Sequence, residues 1–133
     1  MINAIQAKEI IVEVRNDVGV LFEMVKVISE KGINILAVEG SCDEKLAFIR
    51  LVTEDNLRAV DALRARNYQP QELDIVQVNF PHKPGMLRVM TERLAREGIE
   101  INHLYASAGI SESYCTVVLS TSNNERAIVA LNQ

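Results

Sequence analysis

The chain matches itself when shifted by 66 residues, and this internal repeat constrains the fold more than any other feature. Residues 12–35 lie over residues 78–101, pairing Val12 with Val78, Gly19 with Gly85, Leu21 with Leu87 and Met24 with Met90. The identities continue through Gly32 and Gly98, Ile33 and Ile99, Ile35 and Ile101, and Ser41 and Ser107. Further on, RAVDAL lies over RAIVAL at a shift of 68, so the second copy carries a two-residue insertion. Stacked solenoids need about three or more repeats to bury their faces. Two copies of this length therefore describe a duplicated domain, divided at residues 1–73 and 74–133.

Each copy can be read once and checked against the other. Ile10, Val12 and Val14 alternate with Ile11, Glu13 and Arg15, the period of two expected of a strand, and Val76, Val78 and Phe80 repeat the pattern. After a turn, Leu21, Met24, Val25 and Ile28 fall on one stripe of a helix, and Leu87, Met90 and Leu94 follow in the second copy. These stripes are expected to be core. Gly32 and Gly98 are placed to end the helices in a left-handed conformation. Two strands follow, near Asn34–Ser41 and Leu46–Thr53, with a polar turn at Cys42, Asp43 and Glu44. Their counterparts are Asn102–Ser107 and Tyr114–Ser120, with Gly109 in the turn. Leu57, Val60 and Leu63 then mark a helix capped by Asp55 or Asn56, matched by Ile128 and Leu131.

Gln69–Leu73 offers a last strand to the first copy, whereas only two residues follow Leu131. The expected class is α+β: tandem ferredoxin-like βαββαβ units, each an antiparallel sheet with helices on one face. The second unit lacks its last strand in its own sequence. An open sheet edge is usually covered, and units of roughly 65 residues are only marginally stable alone. A neighbouring strand or a second chain should therefore fill the gap, and a homodimer is the expectation.

Composition excludes several functions. With 48% hydrophobic and 24% charged residues the chain reads as a globular protein. No apolar run reaches the roughly 20 residues of a spanning helix, and the start MINAIQAKEI does not resemble a signal peptide, so a cytoplasmic location is expected. A net charge of −4 with scattered basic residues argues against nucleic acid. Arg58, Arg64 and Arg66 lie beside Asp55 and Asp61 and read as a solvated helix face. Cys42 and Cys115 form no metal-site pattern and are expected to be buried, reduced core residues. No metal site and no cofactor are expected, because His82 and His103 have no further ligands at suitable spacing. Nothing resembles an activated nucleophile or a phosphate loop, so the chain is not expected to be an enzyme. Phe48 and Tyr114, at the 66-residue shift, lack the basic pattern of an RNA-binding sheet.

The distinctive local feature is the turn between first strand and first helix, RNDVGVL at Arg15–Leu21 and PHKPGML at Pro81–Leu87. Glycine there allows close backbone approach. A helix start also exposes free N–H groups able to hold an anion. Such a glycine equally often has only a structural role. The strand–turn–helix–GINI pattern, repeated at this spacing from about Glu9 to Leu131, resembles the ACT domain family, in particular small proteins made of two ACT units.

The resemblance implies a non-catalytic regulatory protein that binds a small effector, most often an amino acid, where two units meet. It implicates Asn16, Asp17, Val18, Gly19, Val20 and Leu21, with Asn34 and Ile35, in the first copy. In the second it implicates His82, Lys83, Pro84, Gly85, Met86 and Leu87, with Glu100, Ile101 and Asn102. The family's proline before the glycine is present as Pro84 but is Val18 in the first copy, and Lys83 stands where an acidic residue is common. The other reading is a ligand-free dimerisation module that pairs with a metabolic enzyme or regulator. Neither reading involves nucleic acid or a membrane.

Overall fold

The computed structural model describes residues 1–108 and 113–133, with the backbone alone at Ala108. Its elements run β1 (Asn3–Arg15), α1 (Val20–Glu30), β2 (Ile35–Cys42), β3 (Leu46–Thr53), α2 (Asn56–Ala65), β4 (Gln71–Pro81), α3 (Met86–Arg96), β5 (Ile101–Ala108), β6 (Tyr114–Thr121) and α4 (Asn124–Leu131). The α+β class and the repeated βαββα order are as expected. Gly109 lies outside the described residues.

Two compact units divide the chain, one of residues 8–73 and one of residues 1–7 with 74–133. The first seven residues thus belong with the second repeat, not with the first as the division at residue 73 had it. Both β1 and β4 are split between units. In the unit of residues 8–73, β3 lies between β2 and β1, and Gln71–Leu73 of β4 continues the order beyond β1. In the other unit, β6 lies between β5 and β4, and Asn3–Ala7 of β1 continues the order beyond β4.

The place left open after α4 is therefore taken by the N-terminal segment. Ile2 and Ala4 are buried with Val76, Val78 and Phe80, and Asn132 clasps the segment. Its Nδ2 donates to the Ala4 carbonyl at 2.8 Å, and its Oδ1 accepts from the Ala4 N–H at 2.7 Å. No second chain is needed to close this sheet, which removes the open-edge reason for expecting a homodimer.

Each unit has its own core on the helix-covered face. Ile10, Val12, Met24, Ile28, Ile49, Leu51 and Leu63 meet in one. Val78, Met90, Leu94, Val117, Leu119 and Leu131 meet in the other. The helix stripes are rotated from the expected ones. Met24, Val27 and Ile28 face the α1 core and Met86, Met90 and Leu94 the α3 core, whereas Leu21, Leu57 and Leu87 are exposed. All three exposed leucines sit in the first turn of a helix. Cys115 is buried, and desolvation raises its thiol above the usual range. Cys42 is exposed at the end of an edge strand, contrary to expectation.

The fastening of the second helix to its sheet is built twice from the same residues. Asn56 Oδ1 accepts from the Thr53 N–H at 3.0 Å and its hydroxyl at 2.8 Å, while Nδ2 donates to the Lys8 carbonyl at 2.8 Å. Asn124 does the same with Thr121, at 3.0 and 2.8 Å, and reaches the Asp74 carbonyl at 3.3 Å. Asp55 caps α2 by accepting from the Arg58 N–H, and Asn123 caps α4 by accepting from the Arg126 N–H, both at 3.1 Å. Arg58 then donates to the Lys31 carbonyl and Arg126 to the Glu97 carbonyl, at 2.8 and 2.9 Å, satisfying the open C-terminal ends of α1 and α3.

Candidate functional site

Gly19 and Gly85 enter their helices at φ of 84° and 90°, in the left-handed region that costs a side chain roughly 1–2 kcal/mol. Neither glycine has a neighbour within 4 Å of where a Cβ would stand, so the backbone angle, not crowding, calls for glycine. No side chain caps either helix. Carbonyls of the turn take the first N–H instead: Val20 donates to Asp17 at 3.2 Å, and Met86 to Lys83 at 3.4 Å. The next N–H groups have no acceptor within the helix, as at any helix start.

The first turn is anchored to the β2–β3 hairpin of its own unit. The Asn16 N–H donates to the Lys45 carbonyl at 2.8 Å, and its Nδ2 to the Asp43 carbonyl at 3.0 Å. Asp43 Oδ1 in turn accepts from the N–H groups of Lys45 and Leu46, both at 2.8 Å. The Leu46 and Lys45 hydrogen bonds hold the Asp43 carboxyl below its usual range. Arg15, Asn16, Asp17, Glu44, Lys45 and Leu46 surround an open hollow at this end of the unit. Asp43 and Lys45 were not among the residues singled out from sequence. The Asp in the polar turn was the one available signal, since Asp readily bonds its own backbone two residues on. In the second unit the His82 N–H donates to the Ser113 carbonyl at 2.7 Å, so that turn is tied to the start of β6 in the same way.

The two turns carry different charges. Arg15 and Asp17 form a loose exposed pair at 3.8 Å, and Glu23 lies in the first turn of α1. His82, Lys83 and Arg88 surround the second turn, and α3 has no acidic residue in its first turn. Val18 projects fully into solvent, and Leu21 and Phe22 are exposed beside it. Pro84 and Leu87 are exposed in the second copy, where Arg88 replaces Phe22. Met86 is a core residue, not a surface one, and Val20 is half-buried.

Within a unit, the other predicted segment stands at the opposite end of the sheet. Leu46 at the start of β3 pairs with Arg15, and Thr53 at its end pairs with Ile35. Eight residues of strand put the turn roughly 23 Å from Asn34 and Ile35. Asn34 Nδ2 donates to Glu54 Oε1 at 3.0 Å, and Ile35 packs on the core. Glu100, Ile101 and Asn102 are exposed; the Glu100 N–H donates to the Ser122 hydroxyl at 3.0 Å. No single unit joins a turn to an Asn34-type segment. Among the described residues no group of His, Cys, Asp and Glu could hold a metal ion. No helix among them is long and apolar enough to cross a membrane.

The sequence model of the ACT domain matches residues 8–68, nearly the whole of the first compact unit. The first repeat is an ACT domain. A crystal structure of a protein from Bacteroides thetaiotaomicron is similar over 98% of this chain and 89% of that one, with a TM-score of 0.88 and 27% identity. The ligand-free regulatory subunit of aspartate kinase from Thermus thermophilus shares the fold over 99% of this chain and 95% of its own, with a TM-score of 0.69 and 15% identity. That of Thermus flavus does so over 100% and 94%, with a TM-score of 0.62 and 16% identity. No curated protein matches the chain. The chain therefore shares the fold of those structures.

Proposed function

We propose that this chain is a non-catalytic regulatory protein that binds a small effector, an amino acid or related carboxylate, between a helix-start turn of one ACT unit and the Asn34 or Asn102 segment of another. The supporting observation is the doubled turn, in which Gly19 and Gly85 hold uncapped helix starts open to solvent. A carboxylate suits those N–H groups and the positive end of the helix dipole. An ammonium group suits the carbonyl and carboxamide oxygens of the partner segment. The separation of the two segments within a unit favours a site assembled from two.

The unit completing it belongs to a second copy of the chain. Exposed Leu36 and Val38 on edge strand β2 favour such pairing. An effector that binds only the assembled form stabilises it by mass action, which is the regulatory step. A thermal-shift screen of all common amino acids tests the reading. A rise with one ligand and its structural relatives is expected, and flat melting temperatures throughout would sink it. Light scattering with and without that ligand should show a dimer, and a monomer under both conditions would remove the second copy.

The exposed Val18, Leu21 and Phe22 favour a second reading, a ligand-free module that docks on a metabolic enzyme or regulator. It requires no response in the screen, and loss of a specific partner when Phe22→Glu is introduced.

A further inference from the structure

The open face of the sheet in the ACT domain of residues 8–73 carries a feature that the effector reading does not use. Glu13 on β1 stands directly opposite Phe48 on β3, with Ile11 two residues away on the same face. Gln69 and Gln71 reach the same place from the segment that leads into β4. These five residues line a cavity of about 270 Å³. Directly opposed side chains in an antiparallel pair have Cβ atoms about 5 Å apart. A carboxylate and an aromatic ring thus stand side by side.

Two arginines on this face lie near other carboxylates. Arg50 donates to Glu9 at 2.8 Å, and Arg15 lies 3.8 Å from Asp17. Glu13 has no ion-pair partner among the described residues.

The second repeat shows what a self-sufficient version looks like. Asn79 replaces Glu13 and Thr116 replaces Phe48, again directly opposite each other. There the Thr116 hydroxyl donates to Asn79 Oδ1 at 2.7 Å, and the position is satisfied from within. Phe48 thus corresponds to Thr116, not to Tyr114 as the uniform 66-residue shift implied, because the two-residue insertion falls before β6. In the first repeat no such internal bond joins the pair, and a charge, a ring and two amides face solvent around one hollow.

We infer that Glu13, Phe48, Gln69 and Gln71 form a site for the ammonium group of a small free alkylamine, separate from the turns at Gly19 and Gly85. The ammonium has three donors, which suit the Glu13 carboxylate and the two glutamine carbonyl oxygens. Its charge favours the face of Phe48, and its alkyl chain lies on Ile11. A lysine side chain carries the same four-carbon ammonium, so the relative affinities of a free amine and a capped lysine separate the two sources.

The test is an amide NMR titration of the whole chain with n-butylammonium, n-butanol, butyrate and N-acetyl-lysinamide. Butylammonium should shift the amides of residues 11–13, 48 and 69–71, saturating with a Kd on the order of 1 mM. The neutral and anionic isosteres should not. Glu13→Gln should weaken binding about tenfold or more, and Glu13→Asn with Phe48→Thr, the pairing of the second repeat, should abolish it. Glu13 is exposed, so Glu13→Gln keeps the test valid should the double variant fail to fold. Absent saturation, an equal response to butanol, tighter binding of N-acetyl-lysinamide, or wild-type affinity in Glu13→Gln would each overturn the site.

Discussion

The two repeats agree where helix meets sheet and differ where sheet meets solvent. Thr53, Asn56 and Arg58 fasten α2 by the same hydrogen bonds with which Thr121, Asn124 and Arg126 fasten α4. The helix-start turns keep the glycine with its backbone angle and the leucine two residues on, while the side chains around them change from Asp17, Val18 and Phe22 to Lys83, Pro84 and Arg88. Directional bonds that bridge helix and sheet fit one backbone geometry, and at their centre the buried Thr53 and Thr121 hydroxyls would lose the acceptor they donate to. Solvated side chains meet no such constraint and can diverge in charge. The first repeat closes its sheet with Gln71–Leu73, the next stretch of chain after α2, whereas the second draws on residues 3–7. Equal units are thus made from unequal chain paths.

Core truncation should give the largest effects and shows whether the units are equally stable. Met24 and Met90 occupy matching, fully buried positions. Met24→Ala and Met90→Ala should each cost about 2–5 kcal/mol, read by chemical denaturation. A cost under about 1 kcal/mol for one alone would break the equivalence.

The closing strands are compared next. Asn132→Ala removes both hydrogen bonds to Ala4 and should cost about 1–3 kcal/mol. Amide exchange should rise along residues 2–7 and 74–80, with no change in residues 8–73. Rapid exchange spread over both units would show that the division between them is wrong. Asn56→Ala and Asn124→Ala each remove three hydrogen bonds of the repeated fastening and should cost about 1–3 kcal/mol apiece. A clear inequality between them would show that the shared geometry hides unequal energetics.

Gly19→Ala and Gly85→Ala should cost less, about 1 kcal/mol each, because only the positive φ opposes the new methyl. In the thermal-shift screen the variant that loses its ligand response identifies the working turn, and loss in neither would exclude both. The smallest effect concerns Asp43. Its folded pKa is lowered, so its contribution to stability is present above the unfolded value and lost as pH falls through the folded one. The ordinary carboxyl value is 3.8, and the loss therefore belongs to the acid limb below it. Asp43→Ala should reduce stability at neutral pH and flatten that limb in an acid titration followed by circular dichroism. An unchanged limb would show that the hairpin gains nothing from the ionised carboxylate.

Much of the fold was legible because it is written in local periods. The alternation at Ile10–Val14 and Val76–Phe80 and the repeated glycines located strands, helices and turns in both copies. Leu46–Thr53 is a strand over the range expected. The helix stripes at Leu21, Leu57 and Leu87 misled, since periodicity reports which face is apolar but not which of its residues the rest of the fold covers. Cys42 misled for a related reason: a strand position says nothing of whether the strand is an edge. Of the candidate site, the turns and the segments at Asn34 and Glu100 were legible as motifs. Their separation by the length of β3 was not.

The sequence by itself determined that there are two like units, their α+β class, and the glycine that each helix-start turn requires, because each follows from spacing among neighbours in the chain. Tertiary structure alone decided that Asn3–Ala7 closes the second unit, that β4 begins in one unit and ends in the other, and that Glu13 meets Phe48 while Asn79 meets Thr116. These depend on pairing between distant strands, and strand register is set by the competition of whole faces for burial. In the first residues burial alternates, with Ile2 and Ala4 inside and Asn3 and Ile5 outside, but Ile5 is as apolar as Ile2, so the sequence there marks neither a strand nor its partner.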